Sequence, residues 1–342
     1  MKPRNRSVSR VILHIAAAGA ASACWLQPAM AEQTDPDAAA RANWQAVMAH
    51  NPTSEVGCFH AAYPSFVWEK VECVVAHPAV HPIRSPRIGG SGDVTGNGND
   101  FVAESAGLTT EALGTFPEVT GVKSEASRGV ASFGGGGILG KNEYTLQANT
   151  NYTGTTSVCA GHSGCTVWQQ FIYSTDYVTK GEGAVFMQYW LIGWGTSKCP
   201  AGFSASSPDC YTNSAITTAP DMAITSLAKL TLSGSAVAGG NDTVVFNNGS
   251  EAYSASGKDS MLDISSVWKE TEFNVVGDAG GSRADFNKGA SVTVKIALTD
   301  GSTSAPPCVS DSGSTGETNN LDLGKCTASA GSTPSIEFTE SN

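Results

Sequence analysis

Glutamines 169, 170 and 188 and glutamates 270 and 272 are the residues whose types and settings invite chemistry. The glutamines interrupt VWQQFIYSTDYVTKGEGAVFMQYWLIGW, Val167 to Trp194, one of the most apolar and aromatic stretches of the chain. A side-chain amide is an uncharged hydrogen-bond donor and acceptor, and a carboxyl group can take up and return a proton. An amide buried without partners costs about 1–3 kcal/mol, so a glutamine among aromatics either bonds its neighbours or serves a reaction. Strand alternation puts Val167, Gln169, Phe171 and Tyr173 on one face, and Trp168, Gln170 and Ile172 on the other. In the next strand Phe186, Gln188, Trp190, Ile192 and Trp194 oppose Val185, Met187, Tyr189 and Leu191. Both faces are apolar, as in a central strand pair covered on both sides, where one covered side can be an aromatic-lined cleft.

The carboxylates come from WKETEFNVVGD. The same alternation groups Trp268, Glu270, Glu272 and Asn274 on one face and Thr271, Phe273 and Val275 on the other. The bland alternative for the first face is a solvated sheet surface, and for each glutamine a bond to a neighbouring side chain or backbone group.

The elements that must position these residues are strands. From about Asn99 onward the chain is rich in Thr, Ser, Gly, Val and aromatics, and runs such as EYTLQANT, AKLTLSGSAV, DTVVFNNG and ASVTVKIALTDG are separated by Gly, Asn, Asp and Ser turns. Residues 98–342 read as one β domain, within the size range of a single sandwich. Before it, residues 32–97 read as an appendage and possible propeptide. It holds one helix over Asp35–His50, with Pro36 at its start and Pro52 beyond its end, then a cysteine-bracketed unit, then a Pro-rich linker.

Residues 1–31 read as a secretory signal. Lys2, Arg4, Arg6 and Arg10 precede an apolar run and the small-residue site Ala29-Met30-Ala31, so the mature chain begins at Glu32. Ala21-Ser22-Ala23-Cys24 offers a competing lipoprotein box. The whole chain carries a formal net charge of −11, and loss of the four leader cations brings this to −15. Such a balance disfavours nucleic acid and anionic membranes as partners, and no later segment is apolar enough to insert in a membrane. The expected product is secreted, extracellular or periplasmic, and monomeric. Eight cysteines remain, an even number suited to a disulfide framework. Their short separations favour the pairs Cys58–Cys73, Cys159–Cys165, Cys199–Cys210 and Cys308–Cys326. No zinc-type CxxC pair occurs, and neither a metal nor any other cofactor is expected. GSGDVTGNGND, residues 90–100, reads as a Gly-rich turn more readily than as a calcium loop built on Asp93, Asn97, Asn99 and Asp100, since the closing Glu is missing.

Taken in order, the segments NDFVAESAGLTTEALGTFPEVTGV, Cys159–Tyr173, GAVFMQYWLIGW, AKLTLSGSAVAGGNDTVVFNNGSEAYSAS and TEFNVVGD with ADFNKGASVTV resemble the eqolisin-type glutamic peptidases, exported acid proteases. The resemblance spans residues 99–301 and rests on the order of weak motifs. It implies an all-β fold, a two-sheet antiparallel β-sandwich of the concanavalin or lectin-like jelly-roll kind with a small N-terminal helical appendage. It also implies a metal-independent endopeptidase that hydrolyses peptide bonds at acidic pH. The catalytic Gln falls on Gln169, which binds the oxyanion and orients water, and the catalytic Glu on Glu272, general base and then acid. Tyr189, Trp190 and Trp268 would bind the polypeptide substrate. One departure is the run Tyr189-Trp190-Leu191-Ile192, which lacks the carboxylate the family carries between its aromatics; another is the Cys199–Cys210 loop. The alternative function is a non-catalytic module of the same architecture, with Trp190, Trp194 and Trp268 presented to a glycan or peptide ligand.

Overall fold

The computed structural model describes residues 36–75, 100–131, 135–195, 198–310 and 317–342. The leader, the Pro-rich linker and residues 90–99 of the Gly-rich stretch lie outside them. Two large antiparallel sheets pack as a sandwich. The back sheet runs, in spatial order, Glu69–Val71, Gly57–Ala62, Glu251–Lys258, Asn241–Asn247, Thr231–Ala236, Glu111–Thr120, Ser291–Thr299, Ser335–Ser341 and Asp322–Ser329. The front sheet runs Ser204–Ser206, Asp209–Asn213, Glu182–Ile192, Thr166–Ser174, Tyr144–Thr150, Glu270–Gly277, Phe101–Glu104 and Cys308–Ser310, with Thr217–Pro220 also paired to Glu182–Ile192. The two glutamine-bearing strands and the glutamate-bearing strand are therefore all in the front sheet, and only Tyr144–Thr150 separates Thr166–Ser174 from Glu270–Gly277.

The core lies between the sheets. Phe171, Tyr173, Met187, Tyr189, Phe273 and Val275 meet Leu232, Val244, Phe246, Val292 and Ile296 in one buried cluster. Tyr173 stacks on Phe246 with ring centroids 3.9 Å apart. Two glycines let the layers approach: a Cβ on Gly114 would sit 2.2 Å from the Phe273 ring, and one on Gly234 2.3 Å from that of Phe171.

The four expected disulfides are all present. Each closes a loop of 6 to 18 residues and so leaves the register of the sheets to side-chain packing.

The N-terminal unit differs from the separate appendage expected. Its helix, Pro36–His50, buries Trp44 and Met48 against Ala61, Val245 and Ala252. Gly57–Ala62 pairs residue for residue with Glu251–Ser256, as an integral strand of the back sheet. The physical reason is the edge: without this strand, Glu251–Lys258 would present unpaired backbone groups to solvent. Among the described residues no helix is long and apolar enough to cross a membrane.

Candidate active site

Strand pairing decides which polar side chains share a face. Asn213 lies opposite Gln188, Gln188 opposite Gln170, Gln170 opposite Asn149, and Asn149 opposite Glu272. Residues directly opposite in a ladder point to the same side. Five adjacent strands thus contribute one unbroken row of four amides ending in a carboxylate, on the face turned away from the back sheet. At about 4.8 Å between strands the row is roughly 19 Å long. Beyond Glu272 the next partner is the apolar Val102, which ends the polar row.

The row is hydrogen-bonded internally. Gln188 Nε2 donates to Asn213 Oδ1 at 2.7 Å, and Asn213 Nδ2 to the Tyr177 hydroxyl at 3.1 Å. Trp190 Nε1 donates to Oε1 of Gln188 at 2.8 Å and of Gln170 at 3.2 Å. Because an indole N–H only donates, both glutamine oxygens must face it, and the Gln170 NH2 is directed the other way, to Gln147 Oε1 at 3.0 Å. Asn149 Nδ2 donates to Glu272 Oε2 at 3.0 Å, and Gln147 Nε2 to Glu317 Oε2 at 2.8 Å. Gln147, Asn149, Gln170, Gln188, Glu272 and Glu317 are all fully buried. Asn149 Oδ1 is nevertheless a buried acceptor with no hydrogen-bond partner, and Trp168 Nε1 a buried donor with none.

Beside the amide row, one step along each strand pair, runs an aromatic one. Trp168 lies opposite Trp190 and Trp190 opposite Tyr211; Trp190 and Tyr211 stack at 5.0 Å. Farther along the same face Asp278 receives the Ser174 hydroxyl at 2.9 Å. Burial pushes its carboxyl well above the usual range, against the pull of that hydrogen bond.

These positions correct three of the expected site residues. Gln169 is opposite Tyr189 and points between the sheets, its Nε2 3.7 Å from Met187 Sδ. Glu272 is on the other face, so the two cannot act on one substrate atom; of the adjacent pair, Gln170 is the one on the face of Glu272. Tyr189 belongs to the core, where a Cβ on Gly257 would come within 2.5 Å of its hydroxyl. Trp268 is also a core residue, stacked on Phe171 at 5.4 Å. The strand begins only at Glu270, so alternation does not extend back to 268. Trp194 closes the core cluster, stacked under His162. Of the expected site residues, Glu272 and Trp190 are on the polar face.

Asn149, Gln147 and Asn213 went unread. For the first two a signal existed: in EYTLQANT, Gln147 and Asn149 alternate with apolar residues at the spacing of one strand face. Asn213 has no such local signal. Among the described residues no group of His, Cys, Asp and Glu could hold a metal ion. A cleft of about 550 Å³ lies elsewhere, between Pro52–Ser54 and the Asn241 and Lys258 region. Its lining holds no carboxylate and so no proton carrier of that type. No family model matches the chain, and no characterised protein matches it at a meaningful level of similarity.

Proposed function

We propose that the chain hydrolyses peptide bonds in acid by a Gln/Glu pair of the glutamic-peptidase kind, with Glu272 as proton carrier and Gln170 as the amide partner. The observation that supports it is the row itself: Gln170 and Glu272 flank Asn149 on one face of the front sheet. Across one intervening strand their backbones are about 10 Å apart, with the Asn149 amide between them and bonded to Glu272 at 3.0 Å, so a carbonyl and a water bind there only as the Asn149 side chain swings aside. In the reaction Glu272 takes a proton from water as the water oxygen bonds to the carbonyl carbon. The amide N–H of Gln170 stabilises the negative oxygen that forms. Glu272 then returns the proton to the leaving nitrogen as the C–N bond breaks. The resemblance to the eqolisin-type peptidases is retained for Glu272 and moved by one residue for the glutamine. The disulfides and the leader support an exported setting. The lectin-like alternative loses support, because Trp268 and Trp194 are packed in the core and Trp190 is engaged with Gln170, Gln188 and Tyr211.

The test compares wild type with Gln169→Ala, Gln170→Ala and Glu272→Ala on denatured casein between about pH 2.5 and pH 7, the range over which a glutamate titrates. Wild type is expected to cut, Gln170→Ala and Glu272→Ala to lose turnover, and Gln169→Ala to retain turnover while losing stability. No cutting by wild type at any pH would sink the peptidase reading, and a Gln170→Ala enzyme as fast as wild type would sink the role of Gln170.

A further inference from the structure

The amide row does not stop at the reacting pair. It continues for two more strands, through Gln188 to Asn213, and the last of these strands, Asp209–Asn213, is half of a short hairpin stapled by Cys199–Cys210. That hairpin adds one member to each row: Asn213 to the amides and Tyr211 to the aromatics. Resting on the peptidase reading, we propose that the Asp209–Asn213 strand builds a distal subsite that binds the main chain of an extended polypeptide substrate, about three residues from the bond under attack.

The ligand class follows from the donors and acceptors. A peptide main chain offers alternating N–H and C=O groups, and a row of side-chain amides offers the complementary set, each amide having two N–H donors and two acceptor lone pairs. On Asn213 one N–H is bonded to Tyr177 and the oxygen accepts one bond from Gln188, so capacity remains for one donor and one acceptor contact. Two buried groups on the same face already lack a partner: Asn149 Oδ1, which requires an N–H, and Trp168 Nε1, which requires an oxygen. Leaving such groups unpaired costs about 1–3 kcal/mol each, and a main chain laid along the row offers both kinds of partner.

The length follows from geometry. Asn213 is two strand spacings from Gln170, about 10 Å, and an extended chain advances about 3.3 Å per residue. The aromatic row of Trp168, Trp190 and Tyr211 runs alongside as an apolar wall for every second side chain. Asn213 is half-buried, unlike Gln188 and Gln170, so the row is reachable from the hairpin end.

The experiment measures kcat/KM for two matched peptides that share the cleaved bond, one ending two residues from it and one extended by four more. Wild type is expected to gain about three- to tenfold on extension, the value of one or two hydrogen bonds. Asn213→Ala should lose most of that gain while the short peptide is cleaved within about twofold of wild type. Equal loss on both peptides, or no gain in wild type on extension from either end, overturns the subsite. If wild type cuts neither peptide, the peptidase reading fails, and calorimetric binding of the same peptides still reads the subsite. Tighter binding of the long peptide that disappears in Asn213→Ala retains it. Equal binding, or binding only of a matched oligosaccharide, rejects it.

Discussion

Trp190 donates its single N–H to the side-chain oxygens of both Gln188 and Gln170, at 2.8 and 3.2 Å, and so holds the Gln170 oxygen toward the indole and its NH2 toward Gln147 Oε1. An amide held the wrong way round would present oxygen to a developing oxyanion. In the proposed reaction Trp190 would act through Gln170, as a positioning residue. Trp190→Phe keeps most of the ring and removes the donor, leaving the amide free to turn over. The expected result is a fall of about tenfold in kcat with KM within about twofold, the pattern of an interaction made in the transition state. A change confined to KM would show that Trp190 serves binding instead.

The buried carboxyls give the protein an acid bias. Burial pushes Glu125 up to about 9, reinforced by the nearby Glu143 and Asp285, and Glu143 up to about 7, with Asp176 beside it. Asp242, Asp278 and Glu340 are also held well above the usual range, chiefly by burial. None of the ion pairs among the described residues reaches Glu125, Asp242, Asp278 or Glu340. A carboxyl whose pKa is higher in the folded than in the unfolded chain favours folding while it is protonated. That contribution is full below about 4, the unfolded value, and is lost as pH rises through the folded value. Thermal midpoints are therefore expected to be highest in mild acid and to fall continuously as pH rises above about 4, the slope easing above about pH 7 and again above about pH 9. A protein most stable at pH 9 would contradict this.

The spacing of the sheets depends on positions without side chains. Gly114→Ala would drive a methyl group to within 2.2 Å of the Phe273 ring, and Phe273 stands on the same strand as Glu272. Overpacking of this kind costs about 1–3 kcal/mol. Because the strand must shift to relieve it, activity should fall together with the unfolding midpoint. Gly239→Ala, where an added Cβ meets nothing within 4 Å but the backbone φ is +68°, should lower stability alone.

The strands, their turns and the disulfides were legible because each is set within a few residues of chain. The choice between Gln169 and Gln170 was not. Alternation separates the two glutamines, but both faces of the Thr166–Ser174 strand are fully buried, so hydrophobicity gives no sign of which face meets the back sheet. That is settled by Phe246 and Trp268, which come from remote parts of the chain to stack on Tyr173 and Phe171. The row from Asn213 to Glu272 depends on four strand registers at once, none of which is a local property. Trp268 was misassigned for a smaller reason, an alternation carried two residues past the start of its strand.

The N-terminal unit should unfold with the sandwich. Trp44 is fully buried, donates to the Ser65 carbonyl at 2.6 Å and meets Tyr63 edge-on at 6.0 Å. Gln45 ties the helix to Lys229 and Asn247 of the back-sheet side. The six-residue pairing with Glu251–Ser256 adds a backbone ladder. Trp44→Ala is expected to cost about 3–5 kcal/mol, lowering the midpoint of the whole protein. Denaturant unfolding followed by both tryptophan fluorescence and far-ultraviolet circular dichroism should give one shared transition. Two transitions, with the helix and the Gly57–Ala62 strand lost first and peptide cleavage surviving, would mean that the unit is removable. If the transitions coincide, excision of residues 36–75 leaves the Glu251–Lys258 strand as an open edge, and the remainder should associate through it.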